Sequence, residues 1–284
     1  MKNHTERIVV AKVQGAPTVD GAGVHLVRVL DNHTVKAYDP FLMLDSFDSK
    51  NPADYTAGFP MHPHRGIETI SYVYKGKMIH TDSLKNEDAI ADGEVQWMTA
   101  GSGILHEEQI PAAEKMLGVQ LWLNLPASDK MVPPMYHSIK NADIQDIPIE
   151  CGTLRLLAGS YENHQGYKSR YLPLDYYDIH MRPNTSCTIK TDRNRSVMLF
   201  TLIGDIMVGT EQIAKKTAVK LSAGDSVTIT SRDCPAQVLL MSSQAIDESV
   251  AWGGPIVMNT QEELQKAFEE LRNGTFLKEK MLYK

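Results

Sequence analysis

The stretch SYVYKGKMIH at residues 71–80 is answered by LFTLIGDIMV at residues 199–208. The alignment pairs Gly76 of the first with Gly204 of the second. A looser pair follows downstream, DGEVQWMTAG (92–101) against AGDSVTITSR (223–232). An offset of about 130 residues at both places predicts a duplicated β-domain. Other short runs fit the same picture: GVQLWLNLP (118–126), TLRLLAG (153–159) and GDSVTIT (224–230). Strands of this length, bounded by Gly, Asp, Asn and Pro, belong to sandwiches and barrels.

One segment breaks the pattern. In NTQEELQKAFEELRNG, Leu264, Ala267, Phe268 and Leu271 fall at i, i+3, i+4 and i+7, which predicts a helix with one apolar stripe. Thr260 and Glu263 are spaced for a capping box, and Gly274 is placed to end the helix. The proline-rich, polar stretch 124–150 reads as the connection between domains, giving an N-terminal domain over 1–135 and a C-terminal one over 136–284.

The bulk properties exclude several classes. With 284 residues, 42% hydrophobic and 23% charged, the chain can bury two sizeable cores. A net charge of -6 argues against a broad nucleic-acid-binding face. Cys151, Cys187 and Cys234 form no C-x-x-C pair, so they read as buried small hydrophobes rather than a disulfide framework. No apolar run reaches the roughly 18–20 residues of a membrane span, and MKNHTERIVVAKV lacks the apolar core of a signal peptide. The expectation is a cytoplasmic, reduced protein.

The chemistry concentrates in HPHRGIET (62–69) and HEEQ (106–109). Along a strand, residues i and i+2 share a face. His62 and His64 therefore present two imidazoles together, and His106 and Glu108 present an imidazole and a carboxylate. If both strands line one barrel, the donors converge into a nitrogen and oxygen set without thiolate, suited to a divalent transition metal. A lone histidine doublet is weak evidence, but two doublets in one half of a duplicated domain are stronger. Glu68 competes with Glu108: the cupin pattern H-x-H-x-x-x-E with a distal histidine selects His62, His64, Glu68 and His106. Arg65 reads as a salt-bridging residue and Gly66 as a turn. His80, His137, His164 and His180 lack ligand-like spacing and read as surface or packing residues. Trp97 and Trp122 read as core first and cavity lining second.

GFPMHPHRGIETISYVYKGKMIHTDS (58–83), VQWMTAGSGILHEE (95–108), VQLWLNLPASDKMVPPMY (119–136) and GGPIVMNTQEEL (253–264) together resemble the pirin family. The resemblance is thin between residues 140 and 195. It implies an all-β chain of two tandem cupin (jelly-roll-like) β-barrels with a C-terminal helix, metal lying only in the N-terminal barrel. Carried over residue by residue, it implies His62, His64, His106 and Glu108 as metal ligands and relegates Glu68 to a supporting role. The implied ion is Fe(II), with Mn, Co, Ni, Cu or Zn as other ions this donor set accepts. Shifting the four positions by the repeat offset lands near Lys190 and Asp192, then Gln237 and Leu239, and that half has no H-x-H.

The resemblance further implies a quercetin 2,3-dioxygenase-like oxidoreductase that opens a small aromatic, flavonol-type substrate with dioxygen. Glu108 would serve as the base for the substrate hydroxyl. The alternative reading is a non-enzymatic, iron-dependent redox sensor that binds a regulatory protein partner.

Overall fold

The computed structural model describes residues 4–279 and is built almost entirely of antiparallel strands, with one substantial helix at Gln261–Arg272. Among the described residues no helix is long and apolar enough to cross a membrane. The chain forms two compact units.

The first unit holds a seven-stranded sheet whose order is Met135–Ile139, Glu94–Thr99, Ile67–Lys75, Met116–Asn124, Phe41–Ser49, Val24–Leu30 and Ala16–Asp20. A four-stranded sheet, ordered Phe59–His64, Ile104–Gln109, Lys77–Asp82 and Glu87–Ala91, completes the barrel. Between the sheets lies an apolar core in which Val24, Phe47, Val73 and Met116 of the larger sheet meet Met78 and Ile90 of the smaller. Of the described residues, this unit also contains 246–279.

The second unit repeats the plan. Its seven-stranded sheet runs Val9–Gln14, Thr217–Leu221, Ser196–Ile203, Ala236–Ser243, Leu174–Met181, Gly152–Ala158 and Gln145–Ile149. Its four-stranded sheet runs Ser186–Lys190, Ser226–Ser231, Ile206–Val208 and Glu211–Ile213. The edge strand Val9–Gln14 comes from the start of the chain, and its alternating exposure turns Val9 toward the core of this unit. The duplicated β-domain expected from the repeat, and the two tandem barrels that the family resemblance implies, are the observed architecture.

The two sheet orders test the repeat strand by strand. Ile67–Lys75 and Ser196–Ile203 hold the same sheet position, as do Lys77–Asp82 and Ile206–Val208. The match of residues 71–80 with 199–208 is therefore in register, with Gly76 (φ 110°) and Gly204 (φ 71°) at equivalent hairpins. The downstream match is out by one strand. Glu94–Thr99 corresponds to Thr217–Leu221, whereas Ser226–Ser231 corresponds to Ile104–Gln109. Asp and Gly precede strands at most hairpins, so this short signal fits more than one partner.

Two further expectations change. The stretch 124–150 is not all linker: Met135–Ile139 and Gln145–Ile149 are edge strands, one in each unit. Pro148 is tolerated because an edge strand has one unpaired side. Cys151 and Cys187 form a disulfide with Cα atoms 5.3 Å apart, joining segments that spacing alone could not pair, while Cys234 is free and exposed.

The helix Gln261–Arg272 has the expected capping box between Thr260 and Glu263. Its stripe packs Leu264 and Ala267 against Ala251, Ile256 and Met258 of the hairpin Ala251–Gly253 and Ile256–Met258. That hairpin helps form the candidate site.

Candidate metal centre

His62 and His64 sit on Phe59–His64, and His106 on the adjacent strand Ile104–Gln109, where His106 lies directly opposite His62. The ladder and the two-residue alternation deliver all three rings to one point inside the first barrel. One ligand atom from each lies within 4.8 Å of the others. The ring centroids of His62 and His106 are 4.4 Å apart, and those of His64 and His106 are 5.1 Å apart.

The outer nitrogens of these rings are occupied. His62 Nδ1 bonds the Pro60 carbonyl at 2.9 Å, and His64 Nδ1 bonds the Pro255 carbonyl at 2.9 Å. A carbonyl only accepts, so each Nδ1 carries the proton and each Nε2 keeps its lone pair. His106 Nδ1 faces His80 Nδ1 at 3.4 Å, and its Nε2 is buried without a protein partner. Burial, with His62 alongside, pushes the His64 pKa down to about 3, and burial with the neighbouring histidines holds His106 well below its ordinary value. Two buried neutral imidazoles, an orphaned Nε2 and a His62 Nε2 only 3.0 Å from His64 Nε2 are what a divalent cation would satisfy. The donor set fits such an ion.

Glu108 stands outside that group of three. It is on the His106 strand and buried, and its Oε1 accepts from Gln96 Nε2 at 2.7 Å while Oε2 accepts from Gln120 Nε2 at 2.9 Å. Each carboxylate oxygen retains a lone pair beyond the one used by its amide. Glu68 is directed elsewhere. It pairs across the sheet with Thr99 and Leu123, one step out of phase with Met98 and Trp122, and accepts from Thr99 Oγ1 at 2.7 Å. Trp122 lies on the site side, with its ring 5.0 Å from that of His64. Burial raises the Glu68 pKa to about 7, which a hydrogen bond from Thr99 only partly offsets.

The neighbours of HPHRGIET behave as expected. Arg65 bonds Glu270 at 2.8 Å and the carbonyls of Ser102 and Phe276 at 2.7 Å each. Gly66 has φ 77°, and a Cβ there would lie 2.0 Å from the Val257 carbonyl oxygen. Trp97 is core and Trp122 lines a cavity of about 610 Å³ that opens onto His62 and His64. Met43, Phe59 and Trp252 add apolar wall, and the Trp122 and Trp252 rings are 5.6 Å apart. The slot suits a flat aromatic ligand.

His80 packs inside the first barrel and has polar partners as well. It is fully buried, stacked on Tyr136 at 4.2 Å, and bonded through Nε2 to Asp82 at 3.0 Å. His137 and His164 are exposed, and His180 is half-buried beside Asp178 in the second unit. The reading of the sequence also missed Gln96, Gln120 and Trp252. A signal for His80 existed: His80 and Asp82 form a third i, i+2 doublet, lying opposite Glu108 and His106 in the ladder.

In the second barrel the equivalent strand pair is Ser186–Lys190 with Ser226–Ser231, whose inward positions are Cys187, Ile189, Val227 and Ile229. These are apolar core residues. The positions reached by the repeat offset, near Gln237 and Leu239, lie instead on Ala236–Ser243, the counterpart of Met116–Asn124.

Comparison with known proteins agrees with this architecture. Residues 23–123 match the Pirin family model, and residues 176–277 match the model of the pirin C-terminal cupin domain. The chain belongs to the pirin family. It is 38% identical over 277 residues to a pirin-like protein of Caulobacter vibrioides, covering 95% of this chain and 99% of that one. Identity to human pirin is 34% over 262 residues, covering 90% of this chain and 89% of the human protein. Among solved structures, a quercetin 2,3-dioxygenase from Acinetobacter baumannii superposes with a TM-score of 0.88 at 30% identity, covering 95% of this chain and 98% of that one. In this pirin family member, the histidine triad is thus a group able to hold a metal, set in a cupin barrel.

Proposed function

We propose that His62, His64, His106 and Glu108 hold one Fe(II) ion and that the protein is a dioxygenase opening a flavonol-type ring with dioxygen. The observation that carries this reading is the convergence of three histidines whose Nδ1 atoms are engaged elsewhere, at a cavity walled by Met43, Phe59, Trp122 and Trp252 on one part and by Asp20, Arg28 and Asp31 on another. The Acinetobacter baumannii protein, named for action on quercetin, supports the substrate class.

The bound ion supplies Lewis-acid and one-electron chemistry toward a hydroxyl-bearing aromatic and dioxygen. The chain supplies the rest. Trp122 and Trp252 take the flat rings of the substrate. Glu108 receives the substrate hydroxyl proton, and the amides of Gln96 and Gln120 keep its carboxylate aimed while that proton moves. Three neutral imidazoles and one carboxylate leave a divalent centre with a net charge near +1, which favours a phenolate oxygen over the neutral hydroxyl. The second barrel, apolar at the equivalent positions, carries no ion in this reading.

The test is anaerobic reconstitution with Fe(II), followed by quercetin and air. Stoichiometric oxygen uptake with loss of flavonol absorbance, abolished in His106→Ala, supports the reading. A loaded protein that binds iron but consumes no oxygen with any flavonol would overturn the enzymatic part.

A further inference from the structure

We infer that Asp82 and His80 form a fixed acceptor chain that sets the tautomer and orientation of His106, making them positioning residues for the metal site. The inference rests on the ligand reading above for His106 but concerns residues that touch no metal.

The argument begins at Asp82. Its Oδ1 receives the backbone N–H groups of Leu84 at 2.8 Å and Asn86 at 3.1 Å, and its Oδ2 receives the Asn86 side-chain amide at 2.8 Å. Three donors fix this carboxylate as an acceptor on both oxygens. His80 Nε2, 3.0 Å from Oδ2, must therefore carry a proton and donate it. In the single-proton form of the ring, that placement leaves Nδ1 with the lone pair. The group opposite that lone pair is His106 Nδ1 at 3.4 Å, so His106 must carry its proton on Nδ1. What remains is an unprotonated His106 Nε2, buried, without a protein partner, and aimed at His62 and His64.

Each link is also held sterically. Tyr136 stacks on the His80 ring at 4.2 Å with an interplanar angle of 16°, which fixes the plane through which the chain passes. His80 and Asp82 are two residues apart on Lys77–Asp82, facing Glu108 and His106 across the ladder. The strand pairing that presents the ligand also presents its support. His62 and His64 need no such chain, because a carbonyl already fixes each tautomer. Only His106, in the middle of the smaller sheet, depends on side chains for this.

The test separates the chain from ordinary packing. Asp82→Asn keeps shape but places an amide N–H₂ where an acceptor is needed, either toward His80 or toward the two backbone donors. His80→Leu removes the acceptor facing His106, whereas His80→Asn can keep an oxygen near the Nδ1 position. Co(II) is the probe, its affinity measured by chelator competition and its coordination by the visible d–d spectrum. Asp82→Asn and His80→Leu are expected to weaken Co(II) binding about 10- to 100-fold with an altered spectrum, and His80→Asn to recover most of the affinity. In metal-free protein, the ¹⁵N correlation spectrum of His106 should show an Nδ1–H tautomer that Asp82→Asn disturbs, a readout that does not depend on metal. Unchanged Co(II) affinity and spectrum in both Asp82→Asn and His80→Leu, or an Nε2–H tautomer in the parent protein, would overturn the inference. Failure of the parent protein to bind Co(II) at all would instead strike the ligand reading, while the tautomer measurement still decides the chain.

Discussion

Glu68 and Glu108 are held from opposite faces of a single strand. Thr99 Oγ1 donates to Glu68 and Gln96 Nε2 donates to Glu108, each at 2.7 Å, and the two donors stand three residues apart on Glu94–Thr99. An odd separation puts their side chains on different sides of the sheet. The carboxylate that the generic cupin spacing selects thus faces away from the histidines, and the one beside His106 faces toward them.

This gives an expectation for paired substitutions. Glu108→Gln removes a negative charge from the site side and should weaken Fe(II) binding by at least 10-fold while abolishing most flavonol turnover. Glu68→Gln should leave metal affinity within about 2-fold of the parent. Iron content after dialysis against a graded chelator reads both. The reverse pattern would make Glu68 the ligand.

Glu68 carries its own prediction, in stability. Its folded-state pKa is raised by burial to about 7, above the 4.5 of an ordinary glutamate. The folded protein therefore binds more protons than the unfolded chain between those values, and stability contributed by protonated Glu68 is lost as pH rises through about 7. The parent should lose stability from pH 5 to pH 8. Glu68→Gln, always neutral, should flatten that slope and gain on the order of 1–3 kcal/mol at pH 8. Urea midpoints at the two pH values decide it.

How much of this was legible beforehand depends on whether the signal is local. Ligand doublets and the helix stripe are local: an i, i+2 spacing or an i, i+3, i+4 spacing fixes a shared face without knowing the fold. The first repeat was legible because strand, glycine and strand occur together in SYVYKGKMIH. The second was misaligned by one strand, since Asp-Gly before a β-run identifies a hairpin but not which one. The Cys151–Cys187 disulfide, the reach of Trp252 into the cavity wall and the orientation of Glu68 are set by contacts distant in sequence. His80 lies between these cases. Its spacing from Asp82 was visible, but its use required knowing that Lys77–Asp82 pairs with Ile104–Gln109.

Arg65 should prove structural rather than catalytic. Its guanidinium is buried, bonds Glu270 and two carbonyls, and lies 4.2 Å from the Phe276 ring. Arg65→Met leaves the Ser102 and Phe276 carbonyls without the guanidinium, while Glu270 keeps its ion pair with Lys278 at 2.7 Å, and should destabilise the first barrel by roughly 1–3 kcal/mol for each carbonyl. Metal affinity of the fraction that remains folded should be unchanged. Calorimetric melts and metal content in the same samples separate the two effects.

The aromatic slot gives the last expectation. Trp252 comes from the hairpin that packs against the C-terminal helix, and its ring lies 5.6 Å from Trp122 on the cavity wall. Neither indole is among the donors that meet at the histidine triad, so removing one should alter how a flat ligand is held without altering the metal. Aromatic pairs contribute about 0.5–1.5 kcal/mol beyond area burial, and truncation also removes apolar surface. Trp252→Ala should therefore weaken anaerobic flavonol binding about 5- to 20-fold, raise KM in parallel, and leave kcat and Fe(II) affinity near parent values. Trp252→Phe, which keeps a ring, should recover much of the loss. If Trp252→Ala lowered kcat while sparing flavonol affinity, the slot would not be where the substrate rings sit.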